Sequence, residues 1–153
     1  MKIRDTIDKI LANFLVVIMA VMVLNVLWQV ASRFLLGTPS SFTDELARYL
    51  MIWVGILGAA YVSGKNMHVA IDVLPSRLSA ATQKKLKFIV RILVMLFCLT
   101  AMVIGGSRLV YITYVLDQKS AALQLPLAVV YMVIPISGIL IIYYKISDLL
   151  KKD

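Results

Sequence analysis

Long stretches of this sequence contain no charged side chain. Across 153 residues, every Asp, Glu, Lys and Arg lies outside four apolar runs, and so does the single histidine. The runs are Ile10–Ser32, Tyr49–Gly64, Ile92–Ser107 and Ser120–Tyr144. A soluble domain of this size distributes charge over the outer faces of its helices. The pattern therefore excludes an ordinary soluble fold.

The residue types that perform chemistry inside a membrane are also scarce. A proton pump usually holds a carboxylate or histidine within the membrane, and none of the four runs has one. A bis-histidine haem protein needs a partner for His68, and a disulfide oxidase needs a partner for Cys98. The sequence therefore argues against a stand-alone enzyme and predicts no cofactor in this chain. A sodium site built from backbone carbonyls escapes this argument.

The apolar length is sufficient for four membrane crossings. At about 1.5 Å per residue, the first and fourth runs extend roughly 34 and 37 Å, against a hydrocarbon core of about 30 Å. The two middle runs are shorter, but flanking Lys and Arg side chains can extend their charges to the interface. The prediction is an all-α integral membrane protein, one domain over residues 1–153, with spans at about 10–36, 45–64, 86–110 and 123–145.

Basic residues are distributed unevenly between the two sides of the predicted bundle. With four spans, both tails and the loop between the second and third runs share one side, which holds twelve Lys and Arg residues. The other two loops hold four. The positive-inside rule therefore predicts that both termini are cytoplasmic. The net charge of +8 is then a topology signal rather than a sign of nucleic-acid binding.

The loop between the second and third runs predicts a short amphipathic cytoplasmic segment. Apolar and polar residues alternate from Asn66 to Pro75, and the third helix is expected to begin near Ser79 with a basic lead-in. This lead-in predicts contact with lipid headgroups. Its basic residues are Lys84, Lys85, Lys87 and Arg91. His68 fits either a structural role or that of a pH sensor or ligand.

The first predicted helix carries a polar stripe near its C-terminal end. Asn25, Gln29, Ser32 and Arg33 follow helical spacing beside Trp28. Lipid cannot satisfy the hydrogen bonds of amide side chains, so these residues are expected to face another helix. That helix belongs either to the same bundle or to a partner subunit, and the pattern leaves both open.

Charged residues also mark the start of the second predicted helix. Asp44 and Glu45 lie there, and Arg48 follows Asp44 by about one turn. Arg33 is expected at the same membrane interface, so an ion pair between Arg33 and one of the two carboxylates is geometrically possible. These charges would either orient the first two helices or contact a partner.

Two further patterns concern helix packing. Gly55 and Ala59 form a small-xxx-small pair in the second helix, which permits close approach of another helix. In the fourth helix, Pro126 suits the first turn, while Pro135 removes an internal hydrogen bond and predicts a kink.

Several short motifs follow one another along the chain. They are Trp28–Phe34 in helix one, Asp44–Leu50 with Trp53 and Gly58 in helix two, Gly64–Lys65 and His68–Asp72 after it, and Leu125–Pro126, Tyr131, Ile134–Pro135 and Gly138 in helix four. In this order and spacing, they resemble the small membrane subunit of tripartite ATP-independent periplasmic (TRAP) transporters. The resemblance covers almost the whole chain, although helix three matches only in general character.

The resemblance implies an accessory, scaffold role in the bacterial inner membrane. A large multi-span partner would carry the sodium and substrate sites, and a periplasmic binding protein would capture an organic acid of the sialic acid or C4-dicarboxylate type. Helix or subunit anchors in this chain would be Asn25, Trp28, Gln29, Arg33, Asp44, Glu45, Arg48 and Trp53. Residues that could dock the binding protein would be Thr38, Ser40, Phe42, Asp117 and Lys119.

The rival hypothesis is an autonomous homo-oligomeric exporter or channel for small molecules. Such a protein needs polar stripes that line a pore, and only the first helix has a convincing one. A membrane-bound enzyme would need clusters of acidic or histidine residues that the four runs lack.

Overall fold

The chain folds into a bundle of helices that follow the apolar runs. The structure, a computed structural model, describes residues 2–35, 37, 40–65 and 80–150. Its helices are α1 (Lys2–Leu35), α2 (Ser41–Gly64), α3 (Ala80–Phe97), α4 (Gly106–Val115), α5 (Leu127–Tyr131) and α6 (Val133–Leu150). Four helical stretches are long and apolar enough to cross a membrane. The predicted all-α fold with four spans is therefore confirmed.

The third span departs from regular α-helical geometry. A π-helical segment, Cys98–Gly105, joins α3 to α4 and makes them one continuous span. The hydroxyl of Thr100 donates back to the Leu96 carbonyl at 2.8 Å, a kind of bond that often bends helices. The sequence analysis did not predict this segment.

The fourth span is interrupted at Met132, between α5 and α6. Pro135 has no N–H to donate to the carbonyl one turn earlier, and the next bond, from Ile136 N to Met132 O, is long at 3.4 Å. The predicted disturbance by Pro135 is therefore present. Pro126 stands one residue before α5 in extended backbone, rather than within its first turn.

Different structural elements meet at the two ends of the bundle. At the termini end, the start of α1 meets the last residues of α2 and α6, where Arg4 bonds to both Gly64 and Asp148. At the loop end, the start of α2 meets α1 and the outer loop, residues 116–126 between α4 and α5. Both termini of the described chain therefore lie on one side.

Helix α1 buries only a narrow stripe. Leu11, Ile18, Asn25 and Ser32 are buried and recur every seven residues, the spacing of left-handed helix packing. Gln29 lies beside this stripe and is half-buried. Large apolar side chains on the other faces of α1 are exposed, which suits a helix covered by lipid or by another subunit.

Close helix packing occurs at Gly138 rather than at the small-xxx-small pair. A Cβ at Gly138 would lie 2.8 Å from Met102 Cβ and 3.3 Å from the Cys98 carbonyl oxygen. At Gly55 and Gly58, a Cβ would meet no atom within 4 Å. Gly55, the first member of that pair, and the neighbouring Gly58 are thus not positions of close helix contact among the described residues.

Gly138→Ala is therefore expected to destabilise the bundle by roughly 1–3 kcal/mol, because the atoms it meets are a Cβ and a backbone oxygen that cannot turn aside. Gly58→Ala is the matched control and should not lower the melting temperature. Thermal unfolding of the purified variants in detergent measures both. Equal melting temperatures would contradict the packing described at Gly138.

Candidate functional site

The carboxylate of Glu45 fastens the outer loop to the start of α2. It accepts the backbone N–H groups of Ala121, Ala122 and Leu123 at 3.1, 2.8 and 2.9 Å. The Tyr49 hydroxyl donates to the same carboxylate at 2.9 Å. Converging backbone amides form an anion-binding concavity, which a side chain of the same protein fills here. Glu45 is thus an anchor within the chain.

The outer loop has a closely determined conformation. Asp117 and Gln124 adopt positive φ angles of 44° and 55°, which are uncommon for residues other than glycine. The backbone N–H of Ser120 donates to the Leu125 carbonyl at 2.9 Å. Asp117 also pairs with Lys119 at 3.0 Å, and both side chains are exposed. The loop therefore presents a fixed surface that carries charge of both signs.

Asn25 and Trp53 connect the spans to one another. The side-chain amide of Asn25 donates to the Thr43 carbonyl at 2.7 Å, and both residues are buried. The indole N–H of Trp53 donates to the Val130 carbonyl at 3.0 Å, which joins α2 to the fourth span. These two predicted anchors bind within the bundle.

Trp28 and Arg33 lie on the outside of α1. Trp28 retains 56% of its accessible surface, and Arg33 is exposed, with no ion pair to any residue in the described ranges. Asp44 pairs instead with Arg48 at 3.3 Å, while Glu45 binds the outer loop. The Arg33–carboxylate pair considered from the sequence is thus not formed between described residues.

The candidates for docking a soluble partner lie mainly at the loop end. Phe42, Asp117 and Lys119 are exposed there, and Ser40 is half-buried. Thr38 lies outside the described residues. The exposed members are accessible to a protein that approaches this end of the bundle.

The predicted lipid contacts are described only in part. Lys85 is exposed and Arg91 is half-buried. The side chains of Lys84 and Lys87 lie outside the described part of the chain. So do residues 66–79, which include His68 and the whole predicted amphipathic segment.

A buried ion pair that the sequence analysis missed joins α1 to α6 at the termini end. Arg4 Nη1 lies 2.6 Å from Asp148 Oδ1, and both side chains are largely buried. The other terminal nitrogen of Arg4 donates to the Gly64 carbonyl at the end of α2. One guanidinium therefore connects three helices.

A second contact at the termini end involves Asp8. Its carboxylate accepts the hydroxyl of the fully buried Tyr144 at 2.7 Å and pairs with Lys65 at 3.0 Å. The hydrogen bond from Lys65 to Asp8, together with the charge of Asp8, raises the pKa of Lys65, so the Lys65 ammonium stays protonated at neutral pH.

The described residues include an apolar groove but no cluster suited to a metal ion. No group of three His, Cys, Asp or Glu side chains among them could hold a metal ion. A groove of about 320 Å³ between α1, α2 and α6 is lined by apolar and aromatic side chains, including Phe14, Leu57 and Ile136. It lacks the charged groups that would orient an organic acid.

Comparison with known proteins identifies the family. The model of the DctQ component of tripartite ATP-independent periplasmic transporters matches residues 10–152. A TRAP transporter small permease protein of Haemophilus influenzae is 32% identical over 146 residues, which cover 94% of this chain and 88% of that protein.

Two further relatives differ in name and in length. The sialic acid TRAP transporter small permease protein SiaQ of Vibrio cholerae is 29% identical over 68% of this chain and 58% of that protein. The isethionate TRAP transporter permease protein DctMQ of Oleidesulfovibrio alaskensis is 30% identical over 71% of this chain but only 17% of its own length. This multi-pass inner-membrane chain therefore belongs to the DctQ family, the small subunits of TRAP transporters, and is a transporter component rather than an enzyme.

Proposed function

We propose that this chain is the scaffold subunit of a sodium-coupled TRAP importer for an organic acid. It holds a large multi-span subunit, which carries the sodium and substrate sites, and its outer loop helps to dock a periplasmic binding protein. The observation that supports this proposal most strongly is how the chain uses its polar groups. Those of Asn25, Glu45 and Trp53 join parts of the bundle, and the groove described above presents no charge to a substrate.

Two observations support a large membrane partner. The outer faces of α1 are broadly apolar, and Trp28 and Arg33 stand on them without an ion pair or a buried contact in the described bundle. The isethionate relative is a much longer permease protein, of which a segment like this chain forms a part. A polypeptide that contains a segment like this chain within a longer permease is consistent with a small and a large subunit that act together.

The substrate class is proposed from the relatives and from the family resemblance. Relatives of this chain are named for sialic acid, ectoine, isethionate and C4-dicarboxylate, each of which carries a carboxylate or sulfonate group. An acid of the sialic acid or C4-dicarboxylate type is the corresponding proposal here. Since the groove of this chain offers no charged group to an acid, we assign the choice among acids to the partner proteins.

The orientation is proposed from charge. Twelve of the sixteen Lys and Arg residues lie on the side of the termini and the central loop, which places the termini end in the cytoplasm. The loop end, with the exposed pair Asp117–Lys119, then faces the periplasm. A periplasmic binding protein can reach it there. The rival reading, a homo-oligomeric pore, is weakened because Asn25 and Ser32 of the polar stripe are buried in the bundle.

Uptake by proteoliposomes tests this function. Vesicles that contain the large subunit and this chain, supplied with binding protein and a sodium gradient, should import the acid. Vesicles that lack this chain should import it poorly, and vesicles with this chain alone should not import it. Substrate flux through this chain alone would contradict the scaffold role.

Loss of the outward anchors should weaken subunit assembly without harming the fold. Trp28→Ala and Arg33→Ala are each expected to reduce recovery of the large subunit in a pull-down several-fold, because Trp and Arg residues often dominate interface energies. Arg108→Ala, at another exposed arginine, is the matched control. Full recovery with both variants, or a lowered melting temperature of the isolated chain, would refute an outward anchoring role.

A further inference from the structure

The apolar groove between α1, α2 and α6 begins at the termini end and follows the helix axes inwards. Its wall on α1 extends from Ile7 to Phe14, which is about 10 Å at about 1.5 Å per residue. Ile7 directly precedes Asp8, whose carboxylate pairs with Lys65 at the termini end. Phe14 and Trp53, whose ring centroids lie 6.0 Å apart, line the inner end. The groove of about 320 Å³ thus leads from a membrane interface towards the middle of the bundle.

The groove is accessible from the side that faces the membrane. Its lining residues belong to three of the four spans. Ile10, Phe14 and Ile136 at its edges are exposed, whereas Leu57 and Val133 are almost fully buried and form its floor. Bilayer hydrocarbon rather than water therefore reaches the floor. An empty groove would cost these side chains the dispersion contacts that a fitting apolar chain supplies.

The chemistry of the lining favours a lipid chain over a helix of another protein. Every lining side chain is Ile, Leu, Val, Phe or Trp. The one polar atom in this set, the indole nitrogen of Trp53, already donates to the Val130 carbonyl at 3.0 Å. Membrane helices associate largely through small residues and interhelical hydrogen bonds, and this lining offers neither. A flexible, wholly apolar occupant fits it better.

The charge at the termini end complements a phospholipid headgroup. Twelve Lys and Arg residues and five Asp residues lie on this side of the sequence, an excess that attracts phosphate. From a headgroup held there, an acyl chain extends through one leaflet, about 15 Å or half of a hydrocarbon core of about 30 Å. The groove begins at the same level and is about 10 Å long, so it lies within the reach of one acyl chain.

We infer that one acyl chain of a phospholipid, from the leaflet at the termini end, lies in the groove between α1, α2 and α6. The acyl chain covers Leu57 and Val133 and contacts the indole ring of Trp53. It acts as a structural ligand, because it adds apolar contacts to three helices at once. This site does not depend on the scaffold role.

Quenching of Trp53 fluorescence by bromine tests the site, on the full chain in phosphatidylglycerol vesicles. Trp28→Phe first leaves Trp53 as the one tryptophan of the chain. Phosphatidylglycerol brominated at the middle of its acyl chains should remove most of the Trp53 emission, relative to the same lipid without bromine. Ile136→Phe places a bulkier ring in the groove and should restore most of that emission. Ile112→Phe, at an isoleucine of similar exposure on α4, is the matched control and should leave the quenching unchanged.

A second measurement counts the lipid. Native mass spectrometry should show one retained phosphatidylglycerol on the wild type and on Ile112→Phe, but none on Ile136→Phe, while circular dichroism shows equal helix content in all three. Trp53 emission that bromine does not quench would overturn the site. So would equal quenching in Ile136→Phe and Ile112→Phe, since that result indicates only general contact with lipid. If Ile136→Phe prevents recovery of the large subunit and leaves the quenching intact, a partner protein occupies the groove and the inference is wrong.

Discussion

Asp148→Asn is expected to lower the stability of the bundle by about 3–5 kcal/mol, the usual effect of removing one partner from a buried ion pair. The change leaves the Arg4 guanidinium largely buried without its anion and removes the carboxylate that faces Lys145. Because Arg4 also bonds to Gly64, the packing of α1 against both α2 and α6 should weaken at this end of the bundle. Unfolding in detergent, by heat or by denaturant, measures the loss.

Asp117→Asn provides the matched control for this experiment. Asp117 also forms an ion pair, with Lys119 at 3.0 Å, but that pair is exposed at the opposite end of the bundle. Its removal should change stability by less than about 1 kcal/mol. Similar losses in Asp148→Asn and Asp117→Asn would show that the termini-end pair is not the buried link described.

Glu45→Gln is expected to free the outer loop while leaving the spans in place. Glutamine keeps the shape of the side chain but offers one acceptor oxygen, whereas the carboxylate serves three backbone N–H groups and a hydroxyl with two. Amide exchange at Ala121, Ala122 and Leu123 should accelerate by about tenfold or more. Hydrogen–deuterium exchange over residues 116–126 measures this directly.

The functional consequence of Glu45→Gln follows from the proposed docking role. Uptake should need a higher concentration of binding protein, with the maximal rate preserved at saturation. Asp44→Asn is the control one residue away, because Asp44 is exposed and bonds to Arg48 rather than to the loop. If Asp44→Asn accelerates amide exchange in the outer loop as much as Glu45→Gln does, the conclusion that Glu45 anchors this loop is wrong.

The four spans could be predicted because the physics behind them is local. A charged side chain near the bilayer centre is costly, so runs without charge mark the membrane segments. Pro135 is equally local, since its missing N–H affects its own turn. The π-helical segment Cys98–Gly105 lies in a uniformly apolar run, where no residue pattern distinguishes it from an α-helix.

The loop-end anchors were predictable as residues but not as contacts. Asn25 stood out because polar groups in apolar helices need partners. Glu45 was marked as a charge at the start of the second helix, and Trp53 by the family resemblance. Each of them binds a backbone group: the Thr43 carbonyl, the amides of the outer loop and the Val130 carbonyl, respectively. Every residue carries such groups, so the partners followed only from the three-dimensional structure.

The termini-end network was missed for a different reason. Arg4 and Asp8 precede the first apolar run and read as a charged tail, as does Asp148 after the last. Helix α1, however, begins at Lys2, so it carries these charges alongside the ends of α2 and α6. Burial here depends on helix length beyond the apolar run, which hydropathy does not indicate.

A mild-detergent pull-down of the tagged chain from its native membrane, with mass spectrometry of what accompanies it, tests the central claim most directly. The scaffold account predicts a large multi-span membrane protein in fixed proportion to this chain. Recovery of this chain by itself, as a defined homo-oligomer, would contradict that account and favour an autonomous channel or exporter.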